Sequence, residues 1–495
     1  MPTEHVDVLI VGAGLSGVGA AHHIQSAFPD RTYAILEARD ALGGTWDLFR
    51  YPGVRSDSDM QTLGYRFRPW TQDKAIADGP SILDYIRDTA ADAGIDRHIR
   101  YGHQVVSAAW STEDSQWTVT VDHAGETAQL TTNFLYLCTG YYHYDGGHTP
   151  AFPGIEEFGG EVVHPQQWPA DLDYAGKDVV VIGSGATAVT LVPAMTDQAR
   201  HVTMLQRSPT YVAAQPGVDK LANRLRKLLG DRLGYTVTRW KNVFKTIAVY
   251  QLSRRRPAMV RSFLRKNAIR LLPPGYEVDK HFKPRYNPWD QRLCLSPDGD
   301  LFAAIRRGRA SVATDEIVGF TRTGIRLRSG TELPADLVVT ATGLRLLALG
   351  GIRFSVDGRP VQLPETMAYK GLMLSGLPNF VFTIGYTNAS WTLKADLVSE
   401  YTVRLLRHLD DGGYDQVVPV QDGPGVEERP LLDFAAGYVQ RSVHEFPRAG
   451  SRRPWQLGMS YANDVLLLRH GRIDDGTLRF SRTRKPATEP VSEPG

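Results

Sequence analysis

The chain has 495 residues, enough for two or three domains rather than a single core. An apolar content of 42% with 47 glycines and 30 prolines excludes a fibre or a disordered chain and fits a loop-rich α/β enzyme. A net charge of +2 gives no global reason to expect nucleic acid, and the two distant cysteines, Cys138 and Cys294, exclude a CxxC redox pair and a cysteine zinc cluster, so no metal site is expected.

The first residues carry acids where a secretion signal needs positive charge, and the longest uncharged run, Val179 to Thr196, is interrupted by Gly183, Gly185 and Pro193. A cytoplasmic protein is expected. The apolar strand Val8–Val11 leads into Gly12-x-Gly14-x-x-Gly17 and then into helical spacing. In such a turn the first glycine bends sharply, the second lets backbone approach a pyrophosphate and the third lets helix pack on strand. The next strand ends at Glu37, where a carboxylate accepts ribose hydroxyls, so this turn suits FAD or NAD. An apolar strand later ends in Thr139-Gly140, a small turn that lets backbone pass close to a cofactor. The stretch "FGGEVVHPQQWP", Phe158 to Pro169, follows with neither helical nor strand periodicity, and reads as a linker.

A second turn comes next, Gly183-x-Gly185-x-x-Ala188, and its following strand ends Gln206-Arg207-Ser208 in place of an acid. A cation and a hydroxyl there attract a 2′-phosphate, so this site suits NADP; the alternative for Arg207 is a solvated strand end. Two dinucleotides in one chain imply hydride transfer between them. Residues 220 to 270 hold fifteen Lys and Arg against one acid, Asp231, at helical spacing. A solvated helical insertion lining the substrate entrance is favoured over a face that meets anionic lipid. The strand in "LPADLVVTATGLR" ends in Ala341-Thr342-Gly343 and is read as the return of the first domain. The expected fold class is therefore α/β, with two Rossmann-like domains, the NADP domain inserted into a discontinuous FAD domain. The boundaries expected are 1–150 for the first FAD part, 151–335 for the NADP domain with its helical insertion at about 218–275, 336–480 for the FAD continuation, and 481–495 for a disordered proline-rich tail.

The linker fits FxGxxxHxxxWP through Phe158, Gly160, His164, Trp168 and Pro169, and "GGTWDLFRYPGVRSD" fits GGxWxxxxYPGxxxD through Gly43, Gly44, Trp46, Tyr51, Pro52, Gly53 and Asp57. These motifs resemble type I Baeyer–Villiger monooxygenases over nearly the whole chain. The segments "YNPWDQRLCL" and "GYTNASWTLKADLVSE" are most like an actinobacterial branch of FAD monooxygenases that activates ethionamide. The resemblance implies FAD and NADPH as cofactors. It also implies insertion of one oxygen atom from O2 into ketones through a C4a-peroxyflavin, giving esters or lactones, with S-oxygenation of thioethers and thioamides. The alternative is a flavin-containing monooxygenase restricted to nitrogen and sulfur, which shares the linker but usually lacks Trp168 and an Asp57-like partner. Disulfide reductase chemistry is excluded by the missing cysteine pair.

Residue by residue, the resemblance implies Arg292 as the fixed cation beside the reactive oxygen adduct, with Asp57 orienting it and balancing its charge. FAD contacts carry over to Gly12, Gly14, Ser16, Gly17, Glu37, Thr45, Trp46, Asp47, Leu48, Asp57 and Val105. NADP contacts carry over to Gly183, Ser184, Gly185, Ala186, Thr187, Ala188, Val189, Arg207 and Ser208, with Arg55 and Ser56 nearby. Gln291 stands where some relatives have a lysine for the 2′-phosphate, which leaves that selectivity to Arg207. His164 and Trp168 are expected to couple domain movement to the chemistry, not to act as a base. Asn388, Ser390 and Trp391 are candidates for lining the pocket, and the oligomeric state is left open.

Overall fold

Strand β1 (Glu4–Val11) alternates its side chains between two cores: Val8 and Ile10 pack on one face of their sheet, Leu9 and Val11 on the other. Such two-sided burial is what a parallel strand covered on both faces requires. In the computed structural model, which describes residues 4–291, 293–422, 425–432 and 436–483, β1 lies centrally in a nine-stranded sheet. It pairs in parallel with β2 (Tyr33–Leu36), which in turn pairs with β3 (Ile99–Arg100). The other three named strands of this sheet are β4 (His103–Ser111), β5 (Gln116–His123) and β6 (Glu126–Leu137). They form an antiparallel meander whose last member returns parallel to β1. The chain comes back to this sheet at Arg353–Val356, beside β4, and at Phe380–Phe382, beside the end of β6.

The second sheet is wholly parallel. It includes β7 (Glu161–Val163), β8 (Asp178–Ile182) and β9 (His201–Gln206), in the order Ala310–Thr314, β9, β8, Leu337–Thr340, β7. Again alternate residues serve two cores, Val179 and Val181 on one face, Val180 and Ile182 on the other. The α/β architecture with two Rossmann-like units is therefore as expected. Two details differ from the sequence reading. Leu337–Thr340, read as the return of the first domain, is a strand of the second sheet, and we place the boundary after Thr340 rather than after residue 335. A fully buried strand of four residues, Leu-Val-Val-Thr, reads the same in either sheet, so only its pairing assigns it. The linker also contains a strand: β7 is three residues long, too short to show a period, and forms the edge of the second sheet.

The basic segment forms two helices, Lys220–Arg255, bent at Gly230, and Pro257–Leu271. Of the expected tail, Ser481 closes a strand, Leu478–Ser481, paired with Gln416–Pro419, and residues 484–495 lie outside the described residues. Among the described residues no helix is long and apolar enough to cross a membrane.

Candidate active site

The turn after β1 is built by steric necessity. Gly12 has φ +102°, and a Cβ there would stand 2.6 Å from the Cys138 carbonyl oxygen. A Cβ on Gly17 would lie 1.8 Å from the Gly12 carbonyl oxygen, so the helix Leu15–Ala27 can close on β1 only with glycine at that place. The helix begins at Gly14 with no side chain capping it and no acid in its first turn. Its first N–H groups and positive dipole end are left to an anion. Glu37 is buried; its carboxylate accepts the Ala13 N–H at 2.8 Å and the Arg39 N–H at 3.0 Å. Burial raises its pKa while those two N–H groups oppose the rise.

These groups open into a cavity of about 700 Å³. Its wall includes Gln104 and Val105, Glu37, Gly12, Gly14, Leu15 and Ser16, and Thr45, Trp46, Tyr51, Arg55, Ser56 and Asp57. Ala186 and Thr187 of the second turn lie on the same wall. The residues fit a dinucleotide: an uncapped helix terminus for phosphates, a carboxylate with lone pairs left for hydroxyls, and aromatic planes beyond. The second turn repeats the logic, with Gly183 at φ +142°, an uncapped helix Ala186–Met195, and nothing within 4 Å of a Cβ built on Gly185.

The two units are held together beside this cavity. Gly53, at φ +75°, sits so close to the helix Ala186–Met195 that a Cβ would be 2.6 Å from the Ala194 Cβ. Arg55 Nη1 donates to Asp300 Oδ2 at 2.5 Å, and Asp300 is itself fixed by Ser296 Oγ at 2.6 Å and the Leu301 N–H at 2.8 Å. Arg55 Nη2 is buried without a partner among the described residues, and its residue lines the cavity, a donor left for a ligand. Burial pushes the hydroxyls of Tyr51 and Tyr144 up to about 12, so both stay protonated as donors on the wall.

His164 does not line the cavity. Its Nδ1 accepts the Gln166 N–H at 3.1 Å, which puts the ring proton on Nε2, where it donates to the Gly343 carbonyl at 3.2 Å. Burial lowers its pKa, consistent with a neutral ring. Gln166 and Gln167 donate to the His143 and Asp145 carbonyls at 2.6 and 2.7 Å. The linker thus ties the Ala341–Gly343 turn to the strand exit at 140–148. Trp168 packs edge-on to Tyr174, 6.4 Å between ring centres, against the second unit's core.

Several expected contacts stand elsewhere. Asp47 and Leu48 are off the cavity wall; the Asp47 carboxylate, 1% exposed, is taken by Arg39 at 2.7 Å and Arg50 at 3.1 Å. Ala188 and Val189 are fully buried in the second core and serve packing. Gly17, Gly183, Ser184 and Gly185 shape their turns without lining the cavity, and Arg207 and Ser208 are exposed beyond it. Arg292 lies outside the described residues. Asn388 donates to the Met459 carbonyl and Ser390 bonds Thr62, whereas Trp391 lines the cavity, its Nε1–H donating to Ser16 Oγ at 2.7 Å. Tyr141, Tyr142, Tyr144, Leu347 and Gly350–Ile352 also line it, with no motif to announce them.

A fold with two glycine turns, one cavity between them and a tied linker defines a two-dinucleotide oxidoreductase. Residues 10–72 match the NAD(P)-binding Rossmann-like domain and residues 69–255 the flavin-binding monooxygenase-like family. The chain is 58% identical to the FAD-containing monooxygenase EthA of Mycobacterium tuberculosis (strain ATCC 25618 / H37Rv), over 98% of this chain and 99% of that relative. It is 54% identical to EthA of Mycolicibacterium smegmatis, over 97% and 98%. Its fold matches an oxidized steroid monooxygenase bound to NADP with a TM-score of 0.78 at 23% identity, covering 97% of this chain and all of that one. The chain belongs to the FAD-containing monooxygenases.

Proposed function

We propose that this flavoprotein monooxygenase uses NADPH and O2 to insert oxygen into ketones, giving esters or lactones, and to oxygenate thioethers and thioamides at sulfur. The observation that carries the reading is the shared cavity: Gly12, Gly14, Leu15 and Ser16 of the first turn and Ala186 and Thr187 of the second open onto one space, as hydride transfer between two dinucleotides requires. FAD, when bound, supplies two-electron acceptance from NADPH and activation of O2.

The chain's own residues bind, orient and exclude water. The uncapped terminus at Gly14 and the Glu37 carboxylate hold one dinucleotide; Arg207, Ser208 and Arg55 serve the other. Tyr141, Tyr142, Trp391 and Trp46 line the cavity, with Tyr141 against Trp391, and these rings keep water from the reacting atoms. Arg292, beside Asp57 in role, supplies a permanent positive charge for a developing oxyanion, and a guanidinium does so without giving up a proton. His164 and Trp168 transmit the position of the second unit to the cavity. Cys138 and Cys294, both buried and joined in no disulfide among the described residues, support a cytoplasmic location.

Supplying NADPH and O2 with linear, cyclic and aryl ketones and a thioether, then identifying products by mass, tests the reading. Esters support it; sulfoxides alone would leave the nitrogen- and sulfur-restricted alternative.

A further inference from the structure

Of the fourteen exposed large hydrophobic side chains among the described residues, all but Val318 and Leu466 lie between Val218 and Ile269. Leu228 is 73% exposed, Phe244 61% and Phe263 67%, values out of keeping with a helical insertion that is merely solvated. After the bend at Gly230, Leu233, Val237, Phe244 and Leu252 recur at steps of four, seven and eight residues, one stripe on the helix Lys220–Arg255. On the next helix Met259, Phe263, Lys266 and Arg270 recur at steps of four, three and four.

The cations of this segment divide in two. Arg226, Arg239, Lys241, Arg254 and Arg265 are neutralised by acids of the chain. Arg224, Lys227, Arg232, Lys245, Arg255 and Lys266 form no ion pair with a described residue, and all are exposed. Apolar stripes interleaved with unneutralised cations are complementary to one surface, an anionic lipid bilayer, whose acyl boundary takes the rings and whose headgroups take the charges.

The inner face of the longer helix is fixed by a different set of groups. Buried Arg239 donates to the carbonyls of Gln61 at 2.9 Å and Gly64 at 2.7 Å and pairs with Asp396 at 3.2 Å. Asn242 donates to Asp59 at 2.8 Å, and the Tyr235 hydroxyl donates to the Tyr65 carbonyl at 3.0 Å. Segment 59–65, gripped in this way, runs on from Arg55–Ser58 and includes Leu63, all of them on the cavity wall. The exposed stripe is thus one helix diameter, on the order of 10 Å, from residues that bound the cavity.

We propose that the helices Lys220–Arg255 and Pro257–Leu271 form a docking face for an anionic lipid bilayer, holding the enzyme on the membrane surface without a spanning segment. The face brings the cavity wall close to solutes dissolved in the bilayer. The proposal stands on the surface alone and is independent of which atom the enzyme oxygenates.

The test uses the FAD-loaded full chain, floated on a density gradient with vesicles of phosphatidylcholine alone or of phosphatidylcholine mixed with phosphatidylglycerol. One variant, Leu228→Ser/Phe244→Ser/Phe263→Ser, removes the rings and the most exposed leucine. A second, Lys245→Gln/Arg255→Gln/Lys266→Gln, touches no buried atom and keeps the test alive should the first fold poorly. Wild type is expected to float with the mixed vesicles and stay behind with phosphatidylcholine. Each neutralised cation weakens partitioning roughly fivefold, so the second variant binds roughly a hundredfold more weakly. The first is expected to lose about tenfold or more, with what remains released by salt. Three results would overturn the proposal: wild type that ignores the mixed vesicles, variants that bind them as tightly as wild type, or a dimer that the first variant dissolves and the vesicles do not compete with.

Discussion

Replacing Asp300 by alanine is the sharpest test of how the two units are joined. Asp300 receives Arg55 across the unit boundary at 2.5 Å and is preset by Ser296 and the Leu301 N–H. The side chains are 15% and 29% exposed, so screening is partial. Breaking a fully buried pair costs about 3–5 kcal/mol; partial exposure reduces this to about 2 kcal/mol. That corresponds to roughly a thirtyfold shift toward arrangements in which Arg55 no longer faces the second turn. The consequence is a rise in KM for NADPH of that order with a smaller change in kcat, alongside a fall in thermal stability. Measuring Asp300→Ala, Arg55→Ala and the double variant closes a mutant cycle, whose coupling is expected at about 1–2 kcal/mol. Strictly additive effects on both KM and stability would show that the pair does nothing as a pair.

Three further perturbations probe other parts of the account. Gly17→Ala forces a Cβ into the space of the Gly12 carbonyl oxygen, so the purified variant is expected to be colourless, and a normal flavin spectrum would contradict the steric argument. Arg292→Ala is expected to retain flavin reduction by NADPH and lose ester formation, read by anaerobic spectra and product mass. His22, stacked on Phe67, has its pKa lowered to about 4, chiefly by burial, with His23 adding to it. Its folded value lies below the unfolded one, so the unfolded chain binds the proton first and stability falls as pH drops from about 6.5 to about 4. The ring is only half-buried, and solvent screening holds the cost to about 1 kcal/mol. His22→Gln should flatten the melting-temperature profile over that window, and an unchanged profile would assign the loss elsewhere.

What could be read from the sequence is what local geometry demands. Gly12 and Gly183 carry positive φ and have carbonyl oxygens where a Cβ would go, so no other residue serves, and the turns are visible as spacing. Glu37 was visible because it ends a strand at a fixed distance from the first turn. Three things were hidden because they depend on pairing between distant segments. The Arg55–Asp300 bond spans 245 positions. The four-residue strand Leu337–Thr340 fits either sheet by composition, and only its neighbours β7 and β8 assign it. Asp47 sits beside flavin-motif residues in sequence, yet Arg39 and Arg50 turn its carboxylate from the cavity. The basic segment was legible as charge, but the sequence does not tell which cations the chain neutralises.

A reduced nicotinamide bound at the second turn is expected to reach a flavin bound at the first within one cavity. Anaerobic rapid mixing of the FAD-loaded protein with NADPH tests it directly. Single-turnover loss of the flavin's visible absorbance, saturating with NADPH and slowed in Asp300→Ala, is the expected result. A flavin that stays oxidised under saturating NADPH would contradict the account.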